Sequence, residues 1–285
     1  MPTREHIRVT ALLKAAAVVV SVLPGGARAD DLAPDTTLRV MTVVICQQDG
    51  FLPWLLEPFL ESEGIRIEYR QGHHSEVARA AAHGEADLVI AHTKVAALRT
   101  LAEQGVLRPG RVVFANPMAF LAPPDDPAGI AGLSDPVQAV RQIQERGFCF
   151  LVNDQGRLAR LQRTFIEAST PATRCVIDDP QNAKLAALTA ASERGAYSMW
   201  GLHPYARKAS VALEPIVIPD PRLLQGLSAY VVAGAEAQSR AAALVDYLAS
   251  TAAQRRLTGF RLANYPQVQP WWPAAMAADA QAMGN

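Results

Sequence analysis

The side chains most able to do chemistry in this chain are a few histidines, a cysteine and a scatter of amides and hydroxyls. His73, His74 and His92 stand at or beside the expected ends of strands. Neutral imidazole is a common metal ligand, so a metal site is one reading. Adjacent histidines on a turn point in different directions, however, and no carboxylate has ligand spacing with them. Hydrogen-bonding or surface duty is the competing reading, and no metal is assigned. Thr42, Cys46, Gln47, Ser75 and Asn116 either line one side of a ligand cleft or serve turns and core, and both roles stay open. Gln155 and Arg157 open a helix. An arginine there opposes the macrodipole, so its charge serves a ligand carboxylate or the facing lobe, unless it is simply solvated. Trp200 and His203 follow a strand end, where an indole either stacks on a ligand or fills the core. The candidate ligand-binding set is therefore Thr42, Cys46, Gln47, His74, Ser75, His92, Asn116, Gln155, Arg157 and Trp200. There is no Gly-rich phosphate loop, no metalloprotease helix and no nucleophile elbow, so no catalytic residue and no cofactor is expected.

These residues need a scaffold, and the stretch Leu38–Leu52 supplies its first part. Leu38, Val40, Val43, Val44 and Ile45 read as a strand, and Gln47–Gly50 as a polar turn. Phe51, Leu52, Leu55, Leu56 and Phe59 then recur at helical spacing. Alternation over Ile65–Tyr69 predicts a second strand, and Glu76–His83 a helix closed by Gly84. The unbroken apolar run Leu88–Ala91 suits a strand buried on both faces, and Val95–Gln104 a further helix. Alternating strands and helices imply parallel strands joined by right-handed crossovers. Arg111–Ala122 is a longer strand carrying Pro117, which implies an edge, a bulge or a crossing segment.

Beyond Pro123–Pro127 the alternation resumes. Helices are expected over Asp135–Arg146, Arg157–Ser169 and Gln181–Arg194, with strands at Phe148–Val152, Cys175–Ile177, Gly195–Trp200 and Pro215–Val217. The apolar strand Leu227–Ala233 returns to the first half, and helices Ala235–Ala249 and Thr251–Phe260 precede the aromatic tail Trp271–Trp272–Pro273. Crossings near 120 and 225 predict an α/β fold of two lobes, each a mostly parallel sheet flanked by helices, joined by a hinge of two crossing segments. Lobe I spans 30–121 and 225–285, and lobe II spans 122–224. Ligands of open α/β sheets bind beyond the carboxyl ends of the strands, which here face one another across the cleft.

The chain has 285 residues, half of them apolar, with 27 basic and 27 acidic side chains. That balance lacks the basic face of a nucleic-acid binder. Arg4, Arg8 and Lys14, the short apolar run Ala15–Leu23 and the small residues Ala27 and Ala29 form an export signal over residues 1–29. The apolar run is shorter than the ~20 residues a membrane span needs. Export permits disulfides. Cys149 and Cys175 both lie in short, apolar, strand-like segments of the middle region and could pair, a question the sequence leaves open; Cys46 would then be left over, read as a small buried hydrophobe.

At this point the chain resembles the substrate-binding protein of bacterial tungstate ABC importers, within the type II periplasmic binding-protein superfamily. The resemblance covers nearly all of the chain after residue 29. It is carried by Asn116–Ile130 (NPMAFLAPPDDPAGI), by Gly84–His92 (GEADLVIAH) and by Glu193–Tyr197 (ERGAY). It implies a periplasmic, monomeric protein that takes a small molecule or oxyanion and delivers it to an ABC permease in the membrane. It also implies a structural role for His92. The departures fall on the anion site. Where the family has a run of threonines and serine after the first strand, this chain has Thr42, Val43, Val44 and Ile45, followed by Cys46. A small Gly-Thr-Gly turn becomes His73, His74 and Ser75. The family's Ser-Arg-Gly-Asp-Asp-Ser-Gly-Thr stretch falls on Phe150–Arg157. The resemblance thus implies tungstate or molybdate, whereas the substitutions point to another small ligand. A sensor of the same fold feeding a signalling receptor, a metal-binding protein and an enzyme on this scaffold are the alternatives.

Overall fold

Strand and helix alternate through the computed structural model, which describes residues 36–169, 175–208 and 210–277. The expected export segment, residues 1–29, lies outside the described residues. The first half carries β1 (Thr37–Val43), α1 (Phe51–Glu63), β2 (Arg66–Gly72), α2 (His74–Ala82), β3 (Leu88–His92), α3 (Ala96–Glu103) and β4 (Arg111–Ala122). Then come α4 (Pro136–Glu145), β5 (Phe150–Leu151), α5 (Gly156–Ser169), β6 (Val176–Ile177), α6 (Leu185–Glu193), β7 (Ser198–Gly201), α7 (Leu202–Lys208) and β8 (Glu214–Ile216). The chain closes with β9 (Leu224–Val231), α8 (Gln238–Leu248), α9 (Thr251–Leu257) and β10 (Trp272–Pro273).

Local sequence explains most of these boundaries. β1 stops at Val43 because Val44–Gly50 winds into a 3-10 turn. Asp49 and Gly50 leave it with φ of 52° and 74°, a left-handed geometry that Asp tolerates and Gly adopts freely. α2 starts at His74, with His73 as N-cap and Glu76 accepting a 2.7 Å bond from the His73 N–H, a capping box. α7 is a helix where the sequence reading had only a strand end. Pro204 falls in its first turn, where the missing N–H costs nothing.

The main sheet has the order β10-β4-β9-β3-β1-β2. β1 pairs in parallel with β2 and β3. β9 lies between β3 and β4 and is antiparallel to both, and β10 is antiparallel to β4. The mostly parallel sheet expected from the alternation is therefore corrected to a mixed sheet flanked by helices. The reason is non-local. A strand returning late in the chain fills the slot between β3 and β4, and it enters from the opposite end. β3 meets its expectation of two-sided burial, since Leu88, Val89, Ile90 and Ala91 are all fully buried.

β4 serves two ladders. It pairs with β9 as far as Pro117↔Leu224 and with β7 from Met118↔Gly201 onward, with β8 joining at Phe120–Ala122. Pro117, which has no N–H to donate, sits where one ladder hands over to the other. β5 and β6 form a short parallel pair, and the Cys149–Cys175 disulfide lies beside it.

Two side-chain anchors tie distant segments together. Asp87, 3% exposed, accepts from the Arg39 backbone N–H at 2.8 Å and from its guanidinium at 2.6 and 3.2 Å. The Tyr197 hydroxyl donates to Asp126 Oδ1 at 2.8 Å and accepts from the Ala128 N–H at 2.8 Å. That pair of bonds joins the Gly-Ala-Tyr segment to the Asp-Asp-Pro-Ala-Gly segment, two of the stretches that carry the resemblance. No helix among the described residues is long and apolar enough to cross a membrane.

Candidate functional site

Several chain segments converge on one cavity of about 380 Å³. His92 ends β3, and Asn116 lies on β4 beside the Pro117 handover. Gln225 is the register partner of Asn116 on β9. From the later segments come Gln155 and Arg157 at the start of α5 and Trp200 near the end of β7. Ile45, Met118, Leu158 and Pro204 complete an apolar wall. A smaller cavity of about 140 Å³ adjoins it and shares His92, Arg157 and Gln225. Thr93, Lys94 and Gly226 line this second space. Gly226 allows the close approach there, because a Cβ would stand 3.0 Å from Thr93 Oγ1 and 3.3 Å from Ala277 Cβ.

The histidines form a chain of hydrogen bonds. His92 Nε2 lies 3.2 Å from Asn116 Oδ1, and His92 Nδ1 lies 2.9 Å from His74 Nε2. With Asn116 Oδ1 accepting, the His92 proton is on Nε2, and Nδ1 accepts from the His74 N–H. Burial lowers the His92 pKa to about 4, with His74 acting in the same direction and the bond to Asn116 opposing it. The His74 pKa is lowered too, by desolvation and then by His73. Both rings are therefore neutral at physiological pH. Among the described residues no cluster of His, Cys, Asp and Glu is arranged to hold a metal ion.

The cations are placed differently. Arg157 has its pKa lowered, first by desolvation and then by Arg160. Among the described residues no carboxylate pairs with Arg157 or Lys94, and neither cavity is lined by an aspartate or glutamate. On the cavity wall Trp200, 7% exposed, donates from Nε1 to Gln155 Oε1 at 2.9 Å. That bond fixes the loop before α5 against the end of β7. Among the described residues the Gln155 amide N–H groups have no partner.

Of the sequence candidates, His92, Asn116, Gln155, Arg157 and Trp200 meet at the larger cavity. His74 reaches it only through His92. Thr42 and Cys46 are fully buried. Gln47 approaches Thr42, with Nε2 at 3.5 Å from Oγ1. These three belong to the packing under the 3-10 turn, and the Cys46 thiol pKa is driven up by burial. Ser75 is exposed in the first turn of α2. The turn that ends β1 early draws this stretch into the core, and of it only Ile45 reaches the cavity. Sequence reading missed Lys94 and Gln225. The strand-end rule that singled out His92 extends to Lys94 two residues on. Gln225 is found only through its register with Asn116.

His203 sits behind the site. It is fully buried, with Nε2 donating to the Pro270 carbonyl at 3.1 Å and its ring 4.3 Å from that of Trp271.

With this geometry in view, comparisons place the chain among known proteins. A family model described as bacterial extracellular solute-binding protein matches residues 52–260. The chain belongs to that family. No curated protein matches it. Its fold is similar to that of the tungstate binding protein from Desulfovibrio alaskensis G20, with a TM-score of 0.61 at 19% identity, covering 83% of this chain and 98% of that one. It is also similar to a tungstate ABC transporter structure from Geobacter sulfurreducens, with a TM-score of 0.54 at 18% identity, covering 79% and 98%. At such identities the likeness concerns the fold, a mixed sheet flanked by helices as in type II periplasmic binding proteins.

Proposed function

We propose that this solute-binding protein is the periplasmic receptor of an ABC importer and captures a small anion. In this reading residues 1–29 direct export. Lobe I (30–121 and 225–285) and lobe II (122–224) close on the ligand and present it to a membrane permease. The protein acts as a monomer, without catalysis, cofactor or nucleic acid. The hinge lies where β4 passes Pro117 and β9 begins at Leu224. Binding energy then shifts an open–closed equilibrium.

One observation carries the reading. His92, Asn116 and Gln225 from one set of segments and Gln155, Arg157 and Trp200 from the other line a single cavity, whose arginine has no acidic partner among the described residues. Uncompensated positive charge beside amide donors suits an anion. The structural relatives named for tungstate make a tetrahedral oxyanion the first comparison.

Native mass spectrometry of protein purified after export identifies what remains bound. Small-angle scattering before and after ligand stripping measures closure, and a smaller radius of gyration with ligand is expected. No bound species, together with an unchanged radius in tungstate, molybdate and small carboxylates, overturns the proposal.

A further inference from the structure

We infer that the anion is organic: a small monocarboxylate with an apolar body, its carboxylate on Arg157 and its body against Trp200, Ile45, Met118 and Leu158. This rests on the cavity being the capture site proposed above, and it specifies the ligand class.

Two features of the cavity act together. The first is the donor set. Asn116 Oδ1 and Gln155 Oε1 are occupied by His92 and Trp200. Each side chain therefore turns to the ligand as an N–H donor. Among the described residues neither of these amide nitrogens, nor the Gln225 amide, has another partner, and Arg157 adds a planar fork matched to a carboxylate. Lys94, in the adjoining space, adds a second positive charge.

The second feature is the apolar part of the lining. Among the described residues the larger cavity has no hydroxyl-bearing residue in its lining, and about half of that lining is aliphatic or aromatic. A four-oxygen dianion needs donors on every side. Against Ile45, Met118, Leu158 and Trp200 its outward oxygens would lose water and gain nothing. A carboxylate concentrates its charge at one end and needs donors only there, which leaves the apolar wall to bury the rest of the molecule. Cavities of this size commonly orient an organic ligand with a few polar groups in a mostly apolar lining. The partial desolvation of Arg157 agrees with a cation held for a partner of opposite charge.

The test is calorimetric titration of the stripped protein with benzoate, phenylacetate, hexanoate and 4-methylpentanoate. Acetate, benzamide and tungstate serve as controls. At least one of the four acids is expected to bind about 10-fold or more tightly than acetate, and benzamide about 10-fold or more weakly than benzoate. Arg157→Gln should weaken the preferred acid by about 10-fold or more and leave benzamide unchanged. Arg157→Lys should restore part of the loss. Arg157 is exposed and unpaired among the described residues, so the variants should fold, and circular dichroism checks that they do.

The inference is overturned if tungstate binds more tightly than all four acids, or if acetate equals them. It is also overturned if benzamide equals benzoate, or if none of the four binds. The binding-protein reading fails separately. Tungstate binding with closure refutes the organic ligand and leaves capture standing. An acid that binds without any change in scattering radius supports the ligand class and removes capture by closure.

Discussion

Replacing His203 with leucine tests whether one buried neutral imidazole makes the protein acid-sensitive. The side chain lies on α7 with no exposed surface, bonded to the Pro270 carbonyl and packed on Trp271. Burial is the main cause lowering its pKa from 6.5 to about 4. The Pro270 bond opposes this, and His92 and Arg207 reinforce it. The sign follows directly. As pH falls past the ordinary value, the unfolded chain takes up a proton that the folded chain refuses until about 4. The stabilisation from keeping His203 neutral is complete above the ordinary value and is lost as pH falls towards the folded one. Between about pH 7 and about pH 4.5 that loss is about 2 kcal/mol. His92 titrates in the same direction, so only the difference between two proteins isolates His203. At neutral pH His203→Leu should be less stable than wild type by about 1–3 kcal/mol, because the buried Pro270 carbonyl loses its donor. At about pH 4.5 the gap should shrink by about 2 kcal/mol. Urea unfolding at both pH values, with the disulfide intact, measures it. A gap that stays constant with pH would refute the reasoning.

The disulfide and the Arg39–Asp87 anchor give two further expectations. The Cys149–Cys175 bridge closes a loop with a sequence separation of 26, so Cys149→Ala with Cys175→Ala should cost about 3.5 kcal/mol on the chain-entropy account. A denaturant midpoint that does not move when the wild type is reduced would count against this. Asp87→Asn leaves the Arg39 N–H and guanidinium one acceptor where they now share a carboxylate. With Asp87 buried and Arg39 partly exposed, the expected loss is about 1–3 kcal/mol, read as a fall in thermal midpoint. An unchanged midpoint would show that the anchor is dispensable.

Much of the scaffold was legible because it is written in short-range pattern. The run Leu88–Ala91 announced a strand buried on both faces, and Pro117 announced a break in the pairing of a long strand. His92, Gln155, Arg157 and Trp200 were candidates because strand ends and helix starts are where open α/β sheets place ligands, and with Asn116 they line one cavity. α7 was missed because Gly201 reads as the close of β7, whereas Pro204 is equally at home in the first turn of a helix.

By itself, then, the sequence determined the alternation of elements and a short list of polar residues near their ends, and it left the Cys149–Cys175 pairing open until the structure joined them. Periodicity and turn chemistry depend on neighbours in the chain, so a linear reading reaches them. Tertiary structure alone decided which of those residues meet. It inserted β9 antiparallel between β3 and β4, and so set Gln225 beside Asn116. It withdrew Thr42 and Cys46 into the core, and it brought Arg157 to a cavity where no acid among the described residues neutralises it. Strand register and the convergence of distant segments are set by packing between residues far apart in the chain, and no local pattern records them.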